Sequence, residues 1–395
     1  MLLGDKMKKI KIIPLILAMI LLFSSCASAP AVKVDKTEFK TNYTYVFVHG
    51  LSGWGSYDKQ NKVLKYWGTF SGDLMKYLNK QGFNCFAASV DPGGSAWDRA
   101  CELYAQLTGT VVDYGKEHSE RCKHERFGRD FSKEPLIEKW DSENKINLLG
   151  HSFGGATVRM LVSLMANGSE AEINATEKDD ISPLFTGGKG DWIYSVTALA
   201  APHDGTSAYN ANDGTNSVDD KLSSTEKMMS DMVSASTSSD NDGRIESDYA
   251  NYDLKIDNAL EMNKSLKALD NVYYFSYPCS CTDKQKDGTY APDKDITEPM
   301  FVKSAYLMGM YTGKTDGKNE ITADWLENDG LVNTISARAP SVDRQKDFDQ
   351  TDIPRGVWNV MPTYRGDHMS LQGGMLKRND VREFYVKHLT MINSL

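Results

Sequence analysis

Residues 145–155 read Lys145-Ile146-Asn147-Leu148-Leu149-Gly150-His151-Ser152-Phe153-Gly154-Gly155. The stretch begins as an apolar run of strand length, passes through Gly-x-Ser-x-Gly and continues into a helical pattern. That pattern places four apolar residues on one helical face: Val158, Leu161, Val162 and Met165. A nucleophile elbow requires this order of strand, sharp turn and helix. The pattern predicts an elbow at Ser152; the alternative is an ordinary glycine-rich turn with an incidental serine.

Apolar runs of strand length alternate with helical patterns on both sides of this stretch. The predicted strands are Tyr45–Val48, Cys85–Val90, Ile146–Leu149, Trp192–Ala200, Asn271–Tyr277 and Trp358–Met361. Helical patterns cover Gly72–Asn79, Ala96–Leu107 and the C-terminus. This rhythm predicts an α/β fold with a mostly parallel central sheet and helices on both faces.

The composition is that of a folded, acidic protein. With 395 residues, 40% of them hydrophobic, the chain can build one large domain with insertions or two domains. A net charge of −9 and the lack of a Lys/Arg cluster argue against nucleic-acid binding. Apart from Cys26, five of the six cysteines remain, and an odd number is a poor disulfide framework.

Residues 1–26 have the pattern of an export signal. Three lysines at 8, 9 and 11 precede an apolar run that is too short for a permanent membrane helix. Ser24-Ser25-Cys26 then resembles a lipoprotein box, in which Cys26 carries a lipid anchor on the membrane surface. Ordinary cleavage after Ala27-Ser28-Ala29 is the alternative, and both predict export. Residues 27–42 are predicted to be a tether and residues 43–395 the folded domain.

A serine nucleophile needs a histidine base and an orienting carboxylate, and in α/β-hydrolases these follow it in the order acid, histidine. Four of the seven histidines precede or abut Ser152, and His203 follows only one strand later. His388 lies on the apolar face of the last helix and reads as a core residue. His368 therefore remains as the candidate base. Asp329, in a turn-like sequence, is one of many candidate acids.

An oxyanion hole is predicted beside Ser152. The loop after the first strand reads His49-Gly50-Leu51-Ser52-Gly53. In hydrolases of this class that loop supplies one backbone N–H group, and the residue after the nucleophile supplies the second. The expected donors are Leu51 and Phe153. His49 is expected to be structural.

Between about 207 and 270 the composition becomes rich in Ser, Thr, Asn and Asp. Five apolar residues in this insertion fit one helical face: Val218, Leu222, Met229, Met232 and Val233. A methionine-rich amphipathic helix here is typical of a mobile lid over an apolar cleft. A surface helix packed on the core is the equal alternative.

Several motifs together resemble the zinc-containing secreted lipases of Geobacillus and the related staphylococcal lipases. They run in the family's order from residue 43 to the C-terminus. The matching stretches are 49–55, Lys65-Tyr66-Trp67-Gly68, Trp97-Asp98-Arg99-Ala100-Cys101-Glu102, 112–115, 126–129, Pro202-His203-Asp204-Gly205-Thr206 and Asn328-Asp329-Gly330-Leu331-Val332-Asn333-Thr334. The resemblance implies an α/β-hydrolase fold and a triad of Ser152, Asp329 and His368, with Leu51 and Phe153 at the oxyanion hole.

The resemblance also implies one structural zinc ion. Its ligand positions match Asp98, His118, His124 and Asp248, and Cys122 is a candidate substitute. Two imidazoles and two carboxylates make a closed tetrahedral site with no open position. His118 and His124 are expected in a loop. The family's calcium cluster follows the catalytic histidine, but residues 369–375 carry no acid here, so calcium is not predicted.

These observations predict an exported serine ester hydrolase that acts on lipids or other hydrophobic esters. A carboxylesterase for short-chain soluble esters is the alternative within the same class, and a phospholipase is a third reading. A surface lipoprotein whose hydrolase fold only binds a partner is the rival from another class.

Overall fold

The computed structural model describes Val34 and residues 36–212, 214, 216–236 and 243–395. The predicted signal segment, Cys26 and half of the predicted tether lie outside these described residues. Across the part of the chain that is described, no helix combines the length and apolar character needed to cross a membrane.

A seven-stranded sheet forms the centre of the molecule, and all of its strands are parallel. Its strands are β1 (Thr44–Val48), β2 (Cys85–Ala88), β5 (Ile146–His151), β6 (Ile193–Leu199), β7 (Tyr273–Tyr277), β13 (Gln345–Asp347) and β14 (Trp358–Val360). Their order across the sheet is β13-β14-β7-β6-β5-β1-β2. The predicted parallel sheet is confirmed.

Eight shorter strands lie outside this sheet and pair in twos. They are β3 (Val111–Asp113), β4 (Phe127–Asp130), β8 (Cys279–Ser280), β9 (Thr282–Lys284), β10 (Tyr290–Pro292), β11 (Gly313–Lys314), β12 (Glu320–Ile321) and β15 (Tyr364–Arg365).

Twelve α-helices are present among the described residues. They are α1 (Leu74–Lys80), α2 (Ala96–Thr108), α3 (Lys116–Cys122), α4 (Gly154–Asn167), α5 (Glu170–Ala175), α6 (Ala208–Ala211), α7 (Ser224–Ser236), α8 (Ala250–Asp253), α9 (Ile256–Asn263), α10 (Val302–Met308), α11 (Thr334–Arg338) and α12 (Arg382–Asn393).

Helices cover both faces of the sheet, and β1 shows why its sequence is apolar throughout. Val46 and Val48 belong to the core formed with α2 and α4. Tyr45 and Phe47 belong to the opposite core, formed with α1 and α12. Because successive side chains of a strand point to opposite faces, a strand buried on both sides needs a continuous apolar run.

Two local expectations were wrong. His118 and His124 were expected in a loop, but the surrounding residues 109–135 contain β3, α3 and β4. His118 consequently lies on a helix, and only His124 follows it in a loop. The amphipathic helix of the insertion begins at Ser224, so Val218 and Leu222 precede it. Met232 and Val233 belong to α7, and their side chains lie outside what the structure describes.

His388 packs as a core histidine, as its helical face indicated. It is buried, and its ring nitrogens bond to Thr197 Oγ1 at 2.8 Å and to the Tyr277 hydroxyl at 2.9 Å. Burial lowers its pKa to about 3, so the ring is neutral at physiological pH. The five described cysteines are buried and unpaired, which agrees with their odd number.

Candidate active site

The turn between β5 and α4 has the strained geometry of an elbow. Ser152 has φ of +55°, a left-handed conformation that serine rarely adopts. Close packing around the turn explains the flanking glycines. A Cβ atom on Gly154 would lie 2.3 Å from the Val48 carbonyl oxygen, and one on Gly150 would lie 2.3 Å from the Gly154 carbonyl oxygen. The serine hydroxyl is thereby held at the carboxyl edge of the sheet.

The structure brings Ser152, His368 and Asp329 into one hydrogen-bonded row. His368 Nε2 lies 2.8 Å from Ser152 Oγ, and His368 Nδ1 lies 2.9 Å from Asp329 Oδ2. All three side chains are buried. A carboxylate only accepts, so Nδ1 carries the proton that faces Asp329, and Nε2 is left to accept from the serine hydroxyl.

Asp329 is held rigidly by its own turn. Its second oxygen, Oδ1, accepts from the N–H groups of Leu331 at 3.0 Å and Val332 at 2.7 Å. The backbone N–H of His368 donates to the Asp329 carbonyl oxygen at 2.8 Å. The loop that carries the histidine is therefore bonded to the acid through backbone as well as side chain, and this fixes the orientation of the imidazole.

The two expected oxyanion donors flank the serine. Among the backbone hydrogen bonds between described residues, none uses the N–H of Leu51 or of Phe153. Gly50 lies directly against the nucleophile, because a Cβ atom there would sit 2.7 Å from Ser152 Cβ. The loop that carries Leu51 therefore lies beside the nucleophile, and no described backbone group occupies either expected donor.

Tyr66 and His151 form a contact network that sequence reasoning missed. The Tyr66 hydroxyl lies 2.6 Å from His151 Nδ1 and accepts the N–H of Gly50 at 3.1 Å. His151 Nε2 lies 2.8 Å from the carbonyl oxygen of His368. The network joins the oxyanion loop, the nucleophile strand and the histidine loop. Tyr66 stood within a matched motif, but nothing in its spacing predicted this contact.

The four expected metal ligands also come together. His118 Nε2 lies 3.0 Å from Asp98 Oδ1 and 3.2 Å from Asp248 Oδ1. His124 Nε2 lies 3.4 Å from Asp248 Oδ2 and 3.8 Å from Asp98 Oδ1. Zinc bonds of about 2.0–2.1 Å in tetrahedral geometry require ligand atoms roughly 3.3 Å apart. The spacing of these five atoms, which belong to four side chains, is compatible with one such ion.

Two buried polar atoms in this cluster have no hydrogen-bond partner among the described residues, His124 Nε2 and Asp248 Oδ2. In addition, a single Nε2 proton on His118 cannot serve both carboxylates. Burial opposes a charge on His118, but hydrogen bonds with Asp248 and Asp98 outweigh it and raise its pKa to about 11. The two carboxylates therefore favour a positive charge at this point.

Cys122 also lies within reach of a metal, in a group with His118, His124 and Asp248. However, its Sγ lies 3.8 Å from His118 Nδ1, on the opposite side of the ring from Nε2. Arg121 Nη2 lies closer to Nδ1, at 3.1 Å, so the sulfur shares that side of the ring with a guanidinium. The geometry thus favours Asp98 as the fourth ligand and Cys122 as the partner of a ligand.

The segment after His368 is held by acids that the sequence did not reveal. Glu298 is buried, and its Oε1 accepts from the N–H groups of Met375 and Lys377 at 2.6 and 2.9 Å. Asp367 Oδ2 accepts from the N–H of Glu298 at 2.6 Å. Glu298, which is distant in sequence, thus binds the segment that follows His368, although residues 369–375 contain no acidic side chain.

The insertion approaches the site through α10. The ring of Phe301, just before α10, packs edge-on against His368 with ring centres 6.2 Å apart. Helix α7 lies on α10, and Ser230 Oγ donates to the Met300 carbonyl oxygen at 3.1 Å. Ser152 is only 9% exposed. Most of the serine side chain is therefore covered in this conformation, and Phe301 packs against its histidine partner.

Comparisons with known proteins agree with this architecture. A family model described as "Lipase-like, C-terminal domain" matches residues 41–238 and 239–391. The lipase of Staphylococcus hyicus is 32% identical over 88% of this chain and 56% of its own length. Lipase 2 of Staphylococcus aureus is 30% identical over 86% of this chain and 52% of its own length. The chain thus spans just over half the length of these curated relatives.

Two solved structures share the fold closely. EstA from Clostridium botulinum superposes with a TM-score of 0.77 at 34% identity, over 94% of this chain and 92% of EstA. The crystal structure of Staphylococcus hyicus lipase gives a TM-score of 0.73 at 28% identity, over 93% of this chain and 98% of that one. With its α/β-hydrolase sheet and a family match across both halves, this chain belongs to the lipase-like family that includes the staphylococcal lipases.

Proposed function

We propose that this protein is a serine ester hydrolase that cleaves hydrophobic carboxylic esters through an acyl-enzyme. One observation carries the proposal: Ser152 Oγ, His368 Nε2 and Asp329 Oδ2 are linked by hydrogen bonds of 2.8 and 2.9 Å at the end of a parallel sheet. The similarity to named lipases supports the same chemistry.

The reaction follows from this arrangement. Ser152 Oγ attacks the ester carbonyl carbon while His368 Nε2 takes the hydroxyl proton. Asp329 holds the imidazole in the required tautomer and stabilises its cationic form. The N–H groups of Leu51 and Phe153 receive the negative oxygen of the tetrahedral intermediate. His368 then returns the proton to the leaving alcohol, and water hydrolyses the acyl-enzyme by the same sequence in reverse.

The metal cluster is proposed to hold one structural zinc ion through Asp98, His118, His124 and Asp248. A closed four-ligand site leaves no position for substrate, so the ion would supply cross-linking and not chemistry. Asp248 lies between α7 and α8, and Asp98 lies on α2. An ion bound to both would tie the insertion at 207–270 to the core of the domain.

The hydrolase proposal is tested with a fluorophosphonate probe, which labels only an activated serine. The wild type should be labelled and should hydrolyse p-nitrophenyl esters. Ser152→Ala should lose both, with kcat lower by several orders of magnitude, and Ser163→Ala provides a control serine substitution on the same helix, where Ser163 Oγ bonds to the Ser265 carbonyl. An unlabelled wild type without esterase activity would favour a binding role for the hydrolase fold.

Lipase activity is distinguished from carboxylesterase activity by the physical state of the substrate. The burial of Ser152, together with the packing of Phe301 against His368, supports a lipase, because an apolar interface can stabilise apolar side chains that move away from the site. Rates on triglycerides of increasing chain length should then rise when droplets form. Saturation below the solubility limit, on short chains only, would indicate a carboxylesterase. Equal rates on phospholipid vesicles would indicate a phospholipase.

We also propose export, on the basis of the N-terminal sequence alone. The lysine-rich start, the short apolar run and Cys26 together support a lipid-anchored form. Detergent partitioning of the mature protein tests this. Cys26→Ala should move the enzyme from the detergent phase to the aqueous phase; an unchanged distribution would favour cleavage after Ala29.

A further inference from the structure

Arg99 is a fully buried cation beside the oxyanion loop, and no step of the proposed reaction has used it. It lies on α2 and is 0% exposed. Its guanidinium donates to four neutral oxygens. Nη2 donates to the His49 carbonyl, Nη1 to the carbonyls of Gly50 and Asp91 at 3.4 and 3.0 Å, and Nε to Thr157 Oγ1 at 2.8 Å.

These contacts help to fix the direction of the first expected oxyanion donor, together with His49 Nδ1 and the Gly53 N–H, which lie 2.8 and 3.2 Å from the Gly50 carbonyl oxygen. The carbonyl of Gly50 and the N–H of Leu51 belong to one planar peptide unit, in which they point in opposite directions. A donor that holds the carbonyl on one side therefore also fixes the N–H on the other side, which the proposed reaction uses as an oxyanion donor. Amide groups in a hydrogen-bonded series also polarise one another, so the N–H becomes a stronger donor.

The peptide unit between His49 and Gly50 is hydrogen-bonded through both its carbonyl and its N–H group. The His49 carbonyl accepts from Arg99, and the Gly50 N–H donates to the Tyr66 hydroxyl. Two successive peptide planes are thus fixed by side chains that reach the loop from different parts of the chain. This matters because an oxyanion hole acts only when its donors are already in place as charge develops.

Arg99 also contacts the second donor. Its guanidinium lies over the ring of Phe153, 5.1 Å from the ring centre. Thr157 Oγ1, which accepts from Arg99, donates in turn to the Phe153 carbonyl at 3.2 Å. One side chain therefore touches both halves of the hole.

Arg99 remains charged despite its burial. Burial lowers its pKa to about 10, while the nearby carboxyls of Glu102 and Asp91 act in the opposite direction. A permanent cation beside two convergent N–H groups adds to the field that favours a negative oxygen. Arginine suits this position because its planar fork can hold several carbonyls at once, which an ammonium group cannot do.

The geometry points to Arg99 as the positioning residue of the oxyanion hole, holding the N–H groups of Leu51 and Phe153 in place for the tetrahedral intermediate. This inference rests on the proposed ester hydrolysis. It predicts a defect specific to the transition state: kcat should fall while KM for the ester changes little.

The test compares Arg99→Lys and Arg99→Met with Arg159→Lys. Arg159 is a matched control, since it is also buried and bonds to Asn263 and Leu266 away from the hole. Active sites are titrated with a fluorophosphonate, and kcat per labelled site is measured below each melting temperature. Losing one oxyanion donor costs roughly 100-fold in kcat, so displaced donors should cost about tenfold or more. Arg159→Lys should lose stability but keep kcat.

A boronic acid inhibitor provides the second readout, because its tetrahedral adduct with Ser152 places an oxygen in the hole. Its inhibition constant should weaken in Arg99→Lys by the same factor as kcat falls. Wild-type kcat and wild-type boronate affinity in Arg99→Lys would overturn the inference, while an inactive wild type would instead overturn the hydrolase proposal. If the Arg99 variants do not fold, Thr157→Val decides, since it removes one anchor of the guanidinium. A lower kcat with weaker boronate binding supports the inference, and wild-type values refute it.

Discussion

His151 Nε2 lies 2.8 Å from the backbone carbonyl oxygen of His368, the residue that faces Ser152. A carbonyl can only accept, so Nε2 of His151 carries the proton and Nδ1 is the acceptor for the Tyr66 hydroxyl. The Gly50 N–H therefore donates to the Tyr66 hydroxyl, and that hydroxyl donates in turn to His151 Nδ1. Burial, with a smaller contribution from nearby His368, lowers the pKa of His151 to about 3, which keeps the ring neutral.

Tyr66→Phe should reduce activity more than stability. The change keeps the buried ring and removes the hydroxyl, which leaves the Gly50 N–H and His151 Nδ1 without their partner. An unsatisfied buried group costs about 1–3 kcal/mol, and part of that strain will appear as misplacement of the oxyanion loop. We expect kcat to fall roughly 10-fold with a small change in melting temperature. Tyr77→Phe, on the half-buried face of α1, is the control. Wild-type kcat in Tyr66→Phe would show that the network is only structural.

Gly50→Ala should disable the nucleophile without unfolding the domain. The added Cβ would meet Ser152 Cβ at 2.7 Å, closer than carbon atoms can approach. Either the serine or the loop must move, and both carry reacting groups, so kcat should fall by about 100-fold. Gly93→Ala is the control, since its Cβ would approach only the Asp91 carboxylate at 3.9 Å. Equal rates for the two variants would contradict the proposed position of the oxyanion loop.

Zinc removal should lower stability, and the ligand variants should identify the fourth ligand. Metal analysis of the purified protein should give one zinc per chain. Asp98→Asn should lose this ion, whereas Cys122→Ser should retain it. A site bound a thousandfold above its dissociation constant contributes about 4 kcal/mol, so chelation should lower the melting temperature by roughly 5 °C. Retention of zinc by Asp98→Asn, with loss in Cys122→Ser, would assign the thiol as ligand.

The sequence predicted the features that depend on local pattern. Apolar runs in the sequence located every strand of the central sheet except β13, because a strand buried on both faces needs apolar residues. Glycines around Ser152 located the elbow, because the close backbone contact there leaves no room for a Cβ atom. The edge strand β13 escaped prediction since Gln345, Lys346 and Asp347 are polar. An edge strand is partly exposed and needs no apolar run.

Contacts between distant segments could not be predicted in this way. Tyr66 and His151 are 85 positions apart, and His151 and His368 are 217 apart. Arg99 reads in sequence as an ordinary helical arginine, and only the packing of α2 against the oxyanion loop gives it a role. Asp329 likewise was one acid among many until the family motif identified it. Such assignments depend on topology, which no local spacing encodes.

Asp367 should make the protein less stable as the pH rises from 5 to 8. Burial, together with the charge of Glu298, raises the pKa of Asp367 to about 7 in the folded protein, against about 3.9 when unfolded. Between these values the folded state holds a proton that the unfolded state has released, so stability falls with increasing pH. Three pKa units correspond to about 4 kcal/mol, an upper limit since other groups titrate in the same range.

Asp367→Asn tests this pH dependence. The amide remains neutral at every pH, so the variant should lose much of the decline in unfolding free energy between pH 5 and pH 8. Urea unfolding of Ser152→Ala and of the double variant, at constant zinc concentration, measures the difference without interference from turnover. Asp324→Asn replaces an exposed acid and should keep the original slope. An identical slope in Asp367→Asn would mean that Asp367 is already ionised in the folded protein, with its charge stabilised by the N–H groups of Glu298 and Met369.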